Sequence, residues 1–80
     1  MSPLALLDFP HYYALLCSYW VDGDLTDSIW YREPISYKLL VFTDRRNALR
    51  VADELSTNST LVVVQEYWPD VTHNFLIVDE

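Results

Sequence analysis

Residues 45–56 constrain this 80-residue chain more than any other stretch, because they carry the clearest helical period and sit between runs that read as strands. Ala48, Leu49, Val51, Ala52 and Leu55 fall at i, i+1, i+3, i+4 and i+7 and make one apolar face. Arg45, Arg46, Asn47, Arg50, Asp53 and Glu54 fill the polar remainder, and Thr43 and Asp44 offer N-caps. Residues 37–42 precede the helix as a buried strand, with Tyr37, Leu39 and Val41 on one face and Lys38, Leu40 and Phe42 on the other. Residues 60–67 follow it, and their three consecutive valines suit a sheet interior.

Only one glycine is present, so most turns must be built from Asp, Asn, Ser and Pro. Asp22-Gly23 is the favoured pair for a tight hairpin, and it separates an aromatic-rich run at 12–21 from a second at 28–33. The first run has a helical competitor. Tyr12, Leu15, Leu16 and Tyr19 also fit helical spacing, Pro10 suits a first helical turn, and Gly23 suits its end. Aromatic enrichment favours the strand. Pro34 breaks the second run, Trp68-Pro69-Asp70 turns the chain, and 74–78 reads as a last short strand. The expected order is strand, strand, strand, helix, strand, strand. The expected fold is a single α+β domain over 1–80, with a small, mostly antiparallel sheet of four to five strands and one amphipathic helix packed on one face.

Charge excludes several function classes. Twelve carboxylates against five basic side chains give a formal net charge of -7, on a chain that is still 51% hydrophobic. Such a domain folds, repels nucleic acid and anionic membrane, and attracts basic protein surfaces. No run approaches the ~20 apolar residues of a membrane span. The N-terminal apolar run has no positive flank, and Asp8 and Pro10 interrupt it, so no signal peptide is expected. A lone Cys17 allows no internal disulfide and fits a reducing, cytoplasmic setting.

Motifs for chemistry are weak. Asp22, Asp24 and Asp27 could chelate a hard cation, but their spacing departs from the calcium-loop pattern, and a solvated hairpin tip is the plainer reading. His11, His73 and Cys17 have no spacing that positions a Cys–His dyad. Neither a nucleophile elbow nor a phosphate-cradling glycine loop is present. The expectation is therefore a non-enzymatic protein without cofactor or metal. Arg45, Arg46 and Arg50 gather three of five cations on the helix; they are an alternative interface that could touch phosphate or a partner's carboxylate, but the plainer reading is that they solvate the outer face and Arg50 reaches Glu54.

The aromatic surplus is the strongest lead. Three Trp, six Tyr and three Phe are more aromatic surface than one small core is expected to bury, and Trp and Tyr dominate binding hot spots. Trp20, Trp30, Tyr31, Tyr67 and Trp68 lie at expected strand ends beside carboxylates. The expected partner-binding set is Asp22, Asp24, Asp27, Trp30, Glu33, Glu66, Trp68 and Asp70, facing a partner rich in Arg and Lys.

In size, acidity and element content the chain resembles the small acidic proteins that phages encode against host defences, the anti-CRISPR proteins in particular. These share no common motif, so no residue is carried over. The resemblance implies an inhibitor in the host cytoplasm that occludes a basic nucleic-acid-binding surface on a protein complex, without binding nucleic acid itself. The alternative is a small adaptor that homodimerises through its sheet. A pocket for a small ligand, lined by Trp30, Tyr31 and Trp68, is a third reading.

Overall fold

The computed structural model describes residues 12–69 and 74–79. The N-terminal run, His11, Asp70 and His73 lie outside these, and with them the expectations that rest on those residues. The elements are β1 (Tyr12–Val21), β2 (Asp24–Leu25), β3 (Ile29–Trp30), β4 (Leu39–Phe42), α1 (Arg45–Leu55), β5 (Thr60–Tyr67) and β6 (Phe75–Ile77).

The ambiguous first run is a strand, for a physical reason. Residues 12–21 are apolar almost all round, so a helix there would lack a polar stripe, whereas a central strand buries both its faces. That is what β1 does. It pairs antiparallel with β5 along one edge, from Tyr12↔Tyr67 to Tyr19↔Thr60. Along its other edge it pairs with β4, β3 and β2 in turn. β6 then adds to β4 in parallel, through Leu39↔Phe75 and Val41↔Ile77. The α+β class is as expected, with one helix among the described residues. The sheet is mixed and has six strands among the described residues, rather than four to five mostly antiparallel ones.

Two local expectations are corrected. The strand expected at 28–33 is reduced to Ile29–Trp30, and Asp24–Leu25 closes the hairpin ahead of it. Tyr37, expected inside the next strand, lies before it with φ 59 and an exposed side chain. Between Arg32 and Leu39, which bridge each other, the chain leaves the sheet edge and returns. Glu33 holds this excursion: its carboxylate accepts from the Ile35 and Ser36 amides at 3.0 and 2.6 Å. Its own N–H donates to the Lys38 carbonyl and its carbonyl accepts from the Tyr37 N–H. The Arg32 guanidinium lies 5.4 Å from the Tyr37 ring centre.

Side chains sort onto two cores. On the helix side, Leu15 and Cys17 of β1 meet Phe42, Val62, Ala48 and Ala52, flanked by Val51, Leu55 and Val64. On the opposite side, Ala14, Leu39, Val41 and Tyr67 form a second cluster with Tyr12, Trp30, Phe75 and Ile77 packed on it. Small Ala14 sits in this second cluster beside Tyr67, against which the Trp30 ring packs edge-on at 5.4 Å. Buried Ser18 is satisfied by Ser28 at 2.8 Å.

Helix α1 approaches the sheet through its alanines. Leu49, expected on the same apolar face, is 42% exposed, because it lies about 100° round the helix from Ala48. Asp44 caps the N-terminus by accepting from the Arg46 amide at 2.9 Å. Arg45 and Arg46 oppose the helix dipole there, and the fold compensates with a second carboxylate. Asp79, just past β6, accepts from Thr43 N and Oγ1, Asp44 N and Asn47 Nδ2 at 2.8–3.1 Å. Partial burial works against its charge, but these donors outweigh that and hold its pKa down to about 2. The expected Arg50–Glu54 pair is present at 3.4 Å, fully on the surface.

Candidate functional site

The site follows from a mismatch of lengths. An 11-residue helix spans about 16 Å, whereas a ten-residue strand spans about 33 Å. At the C-terminal end of α1, the Ser56 hydroxyl bonds to the Val62 amide and carbonyl. Val62 stands opposite Cys17. Residues 18–21 of β1 therefore run on past the helix by about 13 Å, carrying β2 with them.

This overshooting ribbon is apolar on both faces. Tyr19 and Val21 share the helix side with Ile29, while Trp20 faces the other side opposite Leu25. All five are 41–57% exposed. At its tip Asp22 and Gly23 both have positive φ, 52 and 85, the geometry of a type I′ turn. Asp22 and Asp24 stand at the tip and Asp27 farther back, between Thr26, which bonds to Tyr19, and Ser28, which bonds to Ser18; all three are exposed. None of their carboxylates has a hydrogen bond or ion pair with a described residue; the two ion pairs among the described residues both belong to α1. Among the described residues no three His, Cys, Asp or Glu side chains converge to hold a metal ion.

Alongside the ribbon, on the flank of β3, lies an open groove of about 570 Å³ lined by Cys17, Tyr19, Ile29, Trp30, Tyr31, Arg32 and Tyr37 among others. The Tyr19 phenol is pushed above its usual pKa, first by a hydrogen bond with Cys17. Cys17 itself is buried.

The structure divides the expected binding set. Asp22, Asp24 and Asp27 share the hairpin end. Trp30 is half-buried against Tyr67, on the face away from the helix. Glu33 belongs to the excursion, where backbone N–H groups of Ile35 and Ser36 hold its pKa below the usual range. Glu66 and Trp68 lie at the far end of the sheet, where Tyr67 faces Tyr12, about 30 Å from the hairpin. Trp68 therefore does not join Trp30 and Tyr31 at the groove. Sequence reasoning passed over Val21, Leu25 and Ile29, and the excursion tip, where Ile35 is 94% exposed. The signal for the first three was available in the long β1 run set against a much shorter helix.

Among the described residues no helix is long and apolar enough to cross a membrane. No protein-family model matches the chain, and no curated protein and no solved structure proved similar to it.

Proposed function

We propose that this protein is a non-enzymatic inhibitor whose β1–β2 ribbon docks on a basic, nucleic-acid-binding surface of a partner protein and keeps nucleic acid out. The observation that carries the reading is the ribbon tip. There Asp22 and Asp24, with Asp27 at the base of the ribbon, carry exposed carboxylates without a described partner beside exposed Tyr19, Trp20, Val21 and Leu25 on a projection past the helix. Apolar patches rimmed by polar groups mark interaction sites, with the aromatic anchors giving affinity. The carboxylates stand where a nucleic-acid-binding protein would meet phosphates, and they speed encounter with a positive groove. Glu33, Glu66 and Trp68 drop out of the central contact in this reading. Trp30 acts from beneath by fixing β3.

The test is capture from a nuclease-treated bacterial lysate with the tagged protein as bait. A nucleic-acid-binding complex should be retained at low salt, released at high salt and competed by added DNA or RNA. The triple variant Asp22→Asn, Asp24→Asn, Asp27→Asn should lose it while keeping the wild-type melting temperature. Capture unaffected by the triple variant, or unaffected by nucleic acid, would remove the ribbon from the mechanism.

A further inference from the structure

The opposite edge of the sheet carries a second surface, independent of the hairpin reading. Among the described residues β5 pairs with β1 only, leaving one edge outward. The Trp20 N–H to Ser59 carbonyl bond and the Tyr31 N–H to Leu15 carbonyl bond fix the phase of the ladder. Leu61, Val63 and Gln65 turn their backbone groups toward β1, and Thr60, Val62, Val64 and Glu66 turn theirs outward. Thr60 exchanges its outward bonds with Thr57, and Val62 with the Ser56 hydroxyl. The outward groups of Val64 and Glu66 have no described partner. An unprotected edge of this kind invites another strand.

Above that edge lies the unburied flank of α1. Asn47 donates to Asp79 at 3.1 Å, which turns the Asn47 flank toward β6. Leu49, on the other flank, therefore overhangs the β5 edge, 42% exposed. Arg45 and Asp53 stand one turn to either side of it, exposed and without a described ionic partner. The heights agree as well. From Ser56, level with Val62, seven helical residues back to Leu49 cover about 10 Å, and three strand residues on to Gln65 cover about the same.

We propose that a second copy of this chain pairs antiparallel along β5, about a two-fold axis through Gln65 and Leu49. Val64 then exchanges both backbone bonds with Glu66 of the second copy, and the reverse. Leu49 meets Leu49 of the second copy. Arg45 meets Asp53 of the second copy at both ends, so one helix flank is its own charge complement. The two α1 axes pass about 10 Å apart, the spacing of packed helices. The two ribbons then project in opposite directions, about 50 Å from tip to tip, giving a bivalent molecule.

Sedimentation equilibrium of the intact protein, from low to high micromolar, tests this through a charge swap. Wild type should dimerise, and Arg45→Asp or Asp53→Arg alone should raise the dimer Kd about tenfold or more. The double variant carrying both should return to within about threefold of wild type. Circular dichroism confirms that each variant is folded. A wild type that stays monomeric throughout, a dimer indifferent to the single reversals, or a double variant no better than the singles would overturn the proposal.

Discussion

Two loops on the same edge of β1 use their carboxylates in opposite ways. In the 32–39 excursion, the Glu33 carboxylate is consumed internally, accepting from the Ile35 and Ser36 amides. In the β1–β2 ribbon, Asp22, Asp24 and Asp27 accept nothing from described residues. Asp79 extends the first pattern, binding four donors at the start of α1. A carboxylate placed against N–H groups holds a conformation, and its charge is spent on the fold. A carboxylate left in solvent adds only self-repulsion to the fold, and under the proposed function its field is offered to a partner.

The contrast breaks most readily at Asp79. Asp79→Ala leaves the Thr43 and Asp44 amides and Asn47 without their acceptor, and removes negative charge from the helix N-terminus. Urea unfolding should show a loss of about 2 kcal/mol with partner capture intact. A neutral result would mean that the carboxylate does not staple β6 to α1.

A smaller effect of the same group is expected from pH. The folded pKa of Asp79 is lowered from 3.8 to about 2, so its contribution is complete above about pH 4 and disappears as pH falls toward 2. Screened as a partly exposed group, it amounts to about 1 kcal/mol. The wild type should therefore lose that much more over this window than Asp79→Asn, and parallel acid profiles would contradict the assignment.

Glu33→Gln should cost less still, because the amide oxygen still accepts one bond while the charge assistance disappears. Its mark should be local. Amide exchange at Ile35 and Ser36 should speed up, while exchange in β1 should not.

The sequence carried most of this architecture but only part of the site. Helix α1 and its Asp44 cap were legible because amphipathic period and capping chemistry are local. Aromatic enrichment pointed to a strand for β1 without excluding a helix, and β5 was legible as a strand from its β-branched run, although its valines do not lie in a sheet interior: among the described residues β5 pairs with β1 only, and Val63 is 42% exposed. The parallel pairing of β6 was not legible, since nothing in Phe75-Leu76-Ile77 encodes which strand it will meet. Tyr37 was misplaced because its left-handed backbone is imposed by Glu33 and the bridge between Arg32 and Leu39, which are tertiary facts. Within the candidate site, the three hairpin aspartates stand together simply because they are close in sequence. Glu66 and Trp68 joined them wrongly, because the end of β5 that carries them packs against the start of β1, not its hairpin end.

The most direct measurement is urea unfolding of the triple variant Asp22→Asn, Asp24→Asn, Asp27→Asn beside wild type at neutral pH and low salt. If these carboxylates serve a partner, removing three like charges should leave stability unchanged or raise it by a few tenths of a kcal/mol, with the gain shrinking as salt is added. A loss above about 1 kcal/mol would show that they hold the ribbon together, and the division between structural and partner-facing acids would fail.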